Sequence, residues 1–198
     1  MMKKMILAIA AVLCLCGTAQ SQRHIEYQWH GAYFVVDGSY TMNLNRAPAL
    51  NGYTDTLSAF NLSIIGGFQF RKESAVGLGV NYIADPTGAY TQMPVFVEIR
   101  SHFLRSRLTP YTAIQGGYCL PLGASSEPPS IQITKGGLYF GVEAGARYAI
   151  NRNFGVGAHV GFKLLQSREV ARTDASNMPL TADPLTLYAL NFGTSLHF

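Results

Sequence analysis

Eight segments of this chain alternate apolar and polar residues with a period of two, and no other feature restricts the fold as strongly. The clearest runs from Leu138 to Ile150, where Leu138, Phe140, Val142, Ala144, Ala146, Tyr148 and Ile150 alternate with Tyr139, Gly141, Glu143, Gly145, Arg147 and Ala149. Successive side chains of a strand point to opposite faces, so such a strand has one apolar face and one bearing a carboxylate and a guanidinium. The same alternation predicts strands at about 31–43, 56–70, 75–84, 91–104, 110–121, 134–150, 153–166 and 185–198. Helical periodicity is nearly absent beyond residue 30, and there is no tandem repeat, low-complexity tract or domain linker.

The links between these strands alternate in length. Arg71–Ser74, Arg105–Thr109 and Asn151–Asn153 are short, whereas 43–55, 85–90, 121–133 and 167–184 are mostly longer and carry Pro, Gly, Asn and Asp. An even number of antiparallel strands then puts all short turns, and both ends of the strand array, at one end of a barrel. The long loops lie at the other.

The two faces differ across the whole set. One carries Phe34, Val36, Tyr40 and Met42, then Phe60, Leu62, Ile64 and Phe68, and so on to Tyr188, Leu190, Phe192, Leu196 and Phe198. The opposite face is polar, small or charged: Ser39, Asn61, Ser63, Gln69, Asn81, Gln115, Asn191 and Ser195 with many glycines. Its long charged groups are few and matched, Asp37, Glu98 and Glu143 against Arg100, Arg147 and Lys163, with His159 beside them. A soluble barrel would put many charges on its outer surface, yet only 13% of this chain is charged, about half the ~25% usual for soluble domains. A few paired charges among glycines suit an enclosed interior, and an eight-stranded barrel is just wide enough for side chains to fill. The apolar face is therefore expected to point outward, toward lipid. Aromatic residues fall at two levels on that face. Tyr40, Phe60, Tyr82, Phe140 and Tyr188 lie near the loop end, and Phe70, Phe103, Tyr148, Phe154 and Phe198 near the turn end, as two interfacial belts would. The expected fold class is all-β, an eight-stranded antiparallel up-and-down transmembrane β-barrel.

The N-terminus reads as a signal peptide over residues 1–19, with Lys3 and Lys4, an apolar run from Met5 to Cys16 and small residues before a cut after Ala19. Twelve apolar residues are too few to span ~30 Å as a helix. Residues 20–30 are expected as a short periplasmic tail and 31–198 as the barrel. Cleavage removes two lysines and no acid, so thirteen basic residues face eleven acids, a net charge of +2. That is too mild to imply nucleic acid, and Cys119 would be the last cysteine, expected in packing.

With these features the chain resembles the small outer-membrane β-barrel families of Gram-negative bacteria, the OmpX/OmpA-like barrels of the porin family or outer membrane protein beta-barrel domain group. The last strand, Leu187 to Phe198, resembles the signal by which barrel-assembly machinery recognises its clients, with Tyr188, Phe192, Leu196 and the terminal Phe198 carrying it. The resemblance implies outer-membrane lipid and that machinery as partners, and a location in the outer membrane. It does not choose among adhesion, envelope stability, secretion and lipid modification.

Chemistry is sparse. Asp37, Glu98, Arg100, Glu143, Arg147, His159 and Lys163 are expected to form a structural charge network in the lumen rather than a catalytic set. The five histidines (24, 30, 102, 159 and 197) lack metal-ligand spacing, and no cofactor is expected. Ser195 and His197 share a face, the minimum for a hydrolase, but at the turn end, away from outer-leaflet lipid. No enzyme is expected. The expected function is a structural or interaction role in the cell envelope, with loops 43–55 and 167–184 as the contact surface for an unknown partner. The alternatives are a narrow porin-like channel, a lipid-modifying enzyme and a secreted lipocalin-like binding barrel.

Overall fold

The computed structural model describes residues 31–44, 58–71, 73–84, 91–104, 106–122, 130–151, 153–167, 169–173, 179–180 and 185–198. The expected signal peptide, the periplasmic tail and most of loop 43–55 lie outside them.

Eleven strands are present in chain order: β1 Gly31–Asn43, β2 Ser58–Gln69, β3 Ser74–Ala84, β4 Thr91–His102, β5 Leu108–Pro121, β6 Ser130–Lys135, β7 Leu138–Ala149, β8 Gly155–Ser167, β9 Glu169–Thr173, β10 Pro179–Leu180 and β11 Leu185–His197. Eight of them close a barrel in the order β1-β11-β8-β7-β5-β4-β3-β2, every neighbour antiparallel. Closure joins the first strand to the last, from Val35 opposite His197 to Asn43 opposite Ala189. It ends in a reciprocal pair of hydrogen bonds: Phe34 N donates to Phe198 O at 3.0 Å and Phe198 N to Phe34 O at 2.8 Å. Closure removes the unpaired edges that an open sheet would leave.

The short turns have local causes. Asn151 Oδ1 accepts from the backbone N–H of Asn153 at 2.9 Å and of Phe154 at 2.7 Å, an Asx turn that reverses the chain between β7 and β8. Arg71 and Ser74 exchange backbone hydrogen bonds of 3.2–3.3 Å between β2 and β3. Thr109 Oγ1 donates to Ser106 O at 2.7 Å where β5 begins.

The faces divide as the alternation predicts. Apolar side chains stand on the outer surface all round, among them Leu62, Leu78 (68% exposed), Val97, Ile99, Ile114, Leu138, Val160 and Phe192. Asp37, Glu98, Arg100, Glu143, Arg147, His159 and Lys163 are buried inside. Both aromatic levels lie outward. Tyr40 meets Phe60 edge-on at 5.3 Å near the loop end, and Phe154 meets Phe198 at 5.3 Å near the turn end.

Three expectations need correction. First, the segment 134–150 is not one strand. β6 and β7 are separated at Gly136–Gly137, where a Cβ on Gly136 would stand 1.7 Å from the Cys119 carbonyl oxygen, and Gly137 O accepts from Cys119 N at 2.8 Å. Only glycine lets the backbone approach β5 this closely. Second, the stretches 121–133 and 167–184 are not wholly loop. β6, β9 and β10 form a separate sheet in the order β10-β9-β6. Its β6–β9 ladder continues the β7–β8 ladder past a bulge between Ile133 and Lys135, so one wall rises beyond the barrel rim. Third, the inner face is not polar throughout. Val35, Ala59, Ile65, Ile83, Phe96, Cys119, Tyr139, Leu165 and Leu187 form a buried apolar cluster in the lumen. Hydrophobic residues at consecutive positions, as in Phe34-Val35-Val36 and Ile64-Ile65, supply both faces at once, which period-two reading overlooks. Smaller differences lie at strand ends: β5 begins at Leu108, and β4 stops at His102.

Strand β4 also accommodates a proline. Pro94 is fully buried and opposite Cys119 of β5. On the β3 side, ladder pairing runs to Val80 opposite Val95 and resumes only at Ile83 opposite Gln92. Proline has no N–H to donate, so the gap falls beside it.

Candidate functional site: the filled lumen

The lumen holds two polar clusters built from opposite strands. In the first, Glu98 and Arg100 are two residues apart on β4 and so both point inward. Arg100 Nε donates to Glu98 Oε1 at 2.9 Å. Gln115, directly opposite Glu98 on β5, donates from Nε2 to the other carboxylate oxygen at 2.9 Å. Tyr139 of β7 donates its hydroxyl to Gln115 Oε1 at 2.7 Å. Gly141 makes room for this contact, since a Cβ there would meet Gln115 Oε1 at 3.0 Å and Tyr139 Oη at 3.3 Å. Arg100 is gripped on its face as well, its guanidinium carbon lying 4.6 Å from the Tyr111 ring centre. Glu98 is 0% exposed; a carboxylate so buried requires this paired, hydrogen-bonded setting.

The second cluster spans β1, β2, β8 and β11. Thr41 Oγ1 donates to Asn191 Oδ1 at 3.1 Å, and Asn61 Nδ2 contacts Thr41 Oγ1 and Asn191 Oδ1. These contacts fix the orientation of the Asn191 amide, which places its Nδ2 against His159 Nε2 at 3.1 Å. The other ring nitrogen, Nδ1, lies 3.3 Å from Asp37 Oδ2. A Cβ on Gly193 would strike both His159 Cε1 and Ser39 Cβ at 2.5 Å, so glycine leaves the space this ring occupies.

The structure thus brings Glu98 to Arg100 and Asp37 to His159. Asp37, Arg100, Glu143 and His159 also line one small void in mid-lumen. Lys163 lies one inward position along β8 from Gly161, the residue opposite Glu143. Arg147 sits lower, toward the turns, beside Arg100, His102 and His197. Both voids are about the size of a single water. Gln69 and Tyr139 fill the interior as their parity predicts, and Tyr33, Phe96 and Tyr111, which the sequence reading does not single out, join them; parity with Asp37, Glu98 and Gln115 is the signal that places them there.

Ser195 Oγ and His197 Nε2 lie 2.9 Å apart in the lumen. The His197 ring packs edge-on to Tyr111 at 6.2 Å, and no carboxylate orients it among the described residues. Both side chains are buried, so the pair lacks the orienting acid and the open substrate approach of an acyl-transfer site. Among the described residues no group of His, Cys, Asp and Glu is arranged to hold a metal ion. Tyr188, Phe192 and Leu196 of β11 and Phe198 just past its end form an outward row, each more than two-fifths exposed.

No protein-family model matches the chain, and no curated protein matches it. Solved structures do. Neisserial surface protein A superposes with a TM-score of 0.59 at 14% identity, over 84% of this chain and 96% of that one. The outer membrane protein OprG from Pseudomonas aeruginosa gives a TM-score of 0.60 at 13% identity, over 88% of this chain and 99% of that one. At such identities the likeness is one of fold, and the chain has the fold of the small eight-stranded outer-membrane barrels.

Proposed function

We propose that the protein is an integral barrel of the outer membrane with a structural or interaction role, contacting its partner through the wall raised on β6 and β9. The observation that carries this reading is the inversion of the barrel: charges buried and ion-paired within, leucine, valine, isoleucine and aromatic side chains exposed without. In water that outer surface would be an aggregation hazard far beyond the few hundred Å² of a usual exposed patch. In a bilayer it is the expected lipid contact. The lipocalin-like alternative requires the opposite arrangement, an apolar interior around a ligand cavity. The narrow-channel alternative requires a continuous polar path, whereas apolar packing by Ile83, Phe96, Tyr139, Leu165 and Leu187 fills part of the lumen. Tyr188, Phe192, Leu196 and Phe198 are proposed as the strand read by barrel-assembly machinery. A non-enzymatic role is favoured by the incomplete Ser195–His197 pair.

The test is electrophoretic mobility of protein from washed membranes, unheated against boiled in SDS. A folded membrane barrel is expected to shift on boiling and to stay with the membrane fraction. Release into the soluble fraction without a shift would overturn the proposal. Reconstitution in planar bilayers separates the channel reading, since the packed lumen is expected to give almost no conductance.

A further inference from the structure

The two ends of the barrel differ in charge. At the turn end, the segments 70–73, 103–107 and 150–154 carry five basic residues, Arg71, Lys72, Arg105, Arg107 and Arg152, against one acid, Glu73. At the loop end, the segments 44–57, 85–90, 122–137 and 167–184 carry four basic residues against six acids. Glu73 can neutralise one of the five, so a surplus of four positive charges remains at the turn end whatever their pairing. The basic residues also follow the turn-end aromatic belt. Phe70, Phe103 and Phe154 each have a basic residue of these turns within two positions, whereas Tyr40, Phe60, Tyr82, Phe140 and Tyr188 at the loop end have none within three. The folded chain sets the three turns side by side. His102 N, at the end of β4, donates to Glu73 O at 2.8 Å, and Ala149 N, at the end of β7, donates to Arg107 O at 2.8 Å. Arg71 and Arg107 are exposed. The guanidinium carbon of Arg107 stands 5.9 Å from the centre of the Tyr148 ring, and Tyr148 is 44% exposed on the outer wall. A cation over an outward belt aromatic lies beside the lipid rather than over the mouth of the lumen.

We propose that the turn end of the barrel is an anionic-lipid surface, which gathers the phosphodiester headgroups of acidic phospholipids in the leaflet on that side. This rests on the reading of the chain as a membrane barrel, and adds to it a lipid preference and the leaflet that carries it. A phosphodiester fits because guanidinium groups donate paired hydrogen bonds to its oxygens. Each Lys or Arg held near a membrane surface is attracted to anionic lipid, and the attraction falls off within a Debye length. A zwitterionic headgroup carries its own cation and offers no net attraction. An acidic protein would meet the same surplus charge, but the place of Arg107 over Tyr148 on the lipid-facing wall favours the headgroup.

Electron paramagnetic resonance of spin-labelled phospholipids tests it, with the wild type folded into phosphatidylcholine vesicles. The protein restricts the motion of lipid at its wall, and the restricted fraction is compared for labelled phosphatidylglycerol and labelled phosphatidylcholine. Phosphatidylglycerol is expected to be selected several-fold at low salt, and the selectivity should nearly vanish at about 1 M salt, where the Debye length is about 3 Å. The double variant Arg71→Gln, Arg107→Gln should lose much of the selectivity while keeping the SDS heat shift. Lys135→Gln, at an exposed cation of the loop end, should leave it unchanged. Equal restriction of the two lipids by a heat-shifting wild type overturns the proposal and leaves the turn-end charge for an acidic protein. So does selectivity that survives high salt or the double variant, or that is lost with Lys135→Gln. A wild type without the heat shift overturns the membrane reading itself.

Discussion

The two halves of the lumen fill the same cylinder by different physics. Toward the loops, Ala59, Ile83, Cys119, Tyr139, Leu165 and Leu187 form an apolar cluster beside the buried side chains of Thr41, Asn43, Asn61 and Gln92, and the cluster continues down one wall through Phe96, Ile65 and Val35. Toward the turns, Gln69, Arg100, His102, Arg147, Ser195 and His197 meet as donors, acceptors and charges. Apolar packing is non-directional and tolerates a change of shape if volume is kept. A buried ion pair depends on the partner being present, and its loss leaves a stranded charge. The comparison teaches that the apolar cluster fills the lumen by volume, whereas the turn end is specified by direction. Substitutions should therefore behave differently at the two ends.

The largest effect is expected at the directional end. Glu98→Leu removes the acceptor of both Arg100 and Gln115 and should destabilise by about 3–5 kcal/mol. Equilibrium unfolding in urea from lipid vesicles would measure it. The double variant Glu98→Leu, Arg100→Leu removes both charges and should recover most of that loss. A double variant as unstable as the single one would mean that the pair contributes more than mutual neutralisation.

The apolar cluster should respond chiefly to volume. Leu165→Ala deletes a side chain that is 4% exposed, and the cavity left behind should cost about 2–5 kcal/mol. Leu165→Met keeps the volume and should lose less than ~1.5 kcal/mol. The same unfolding measurement ranks them. Equal losses from Ala and Met would show that the loop end is as shape-specific as the turn end, and would break the contrast.

Much of this division could be read in the residues before any coordinates. The period of two assigned Glu98, Arg100, Glu143, Arg147 and Lys163 to one face because charged residues stand out against apolar neighbours. Few matched charges with many glycines then pointed that face inward. The apolar half of the lumen was not legible in the same way. Val35 and Ile65 sit between outward apolar residues, and alternation carries no signal where both faces are hydrophobic. Nor does parity reveal partners. That Gln115 joins Glu98 to Tyr139 follows from the register of β4 on β5, and that register is fixed by closure of the whole barrel. The raised β6–β9 wall was hidden because proline- and glycine-rich flanks mark a loop, while the pairing that makes it sheet is between segments far apart in sequence, Ser130 with Thr173 and Ile133 with Val170.

The finest test of the contrast uses two adjacent glycines of β5. Gly116 faces outward, and a Cβ there meets nothing within 4 Å. Gly117 faces inward, and a Cβ there would stand 2.0 Å from Val95 O and 2.6 Å from the Phe96 Cα. Both obstacles are backbone, so relief requires β4 and β5 to part beside Phe96, a member of the apolar cluster. Gly117→Ala should therefore destabilise by about 1–3 kcal/mol. Gly116→Ala should lie within about 0.5 kcal/mol of the wild type. The two substitutions add the same methyl group to neighbouring residues of one strand, so propensity and composition cancel between them. What remains is the face on which the methyl stands. A barrel turned inside out would reverse their order, which makes the smallest change in the molecule a direct reading of which side of the wall is filled.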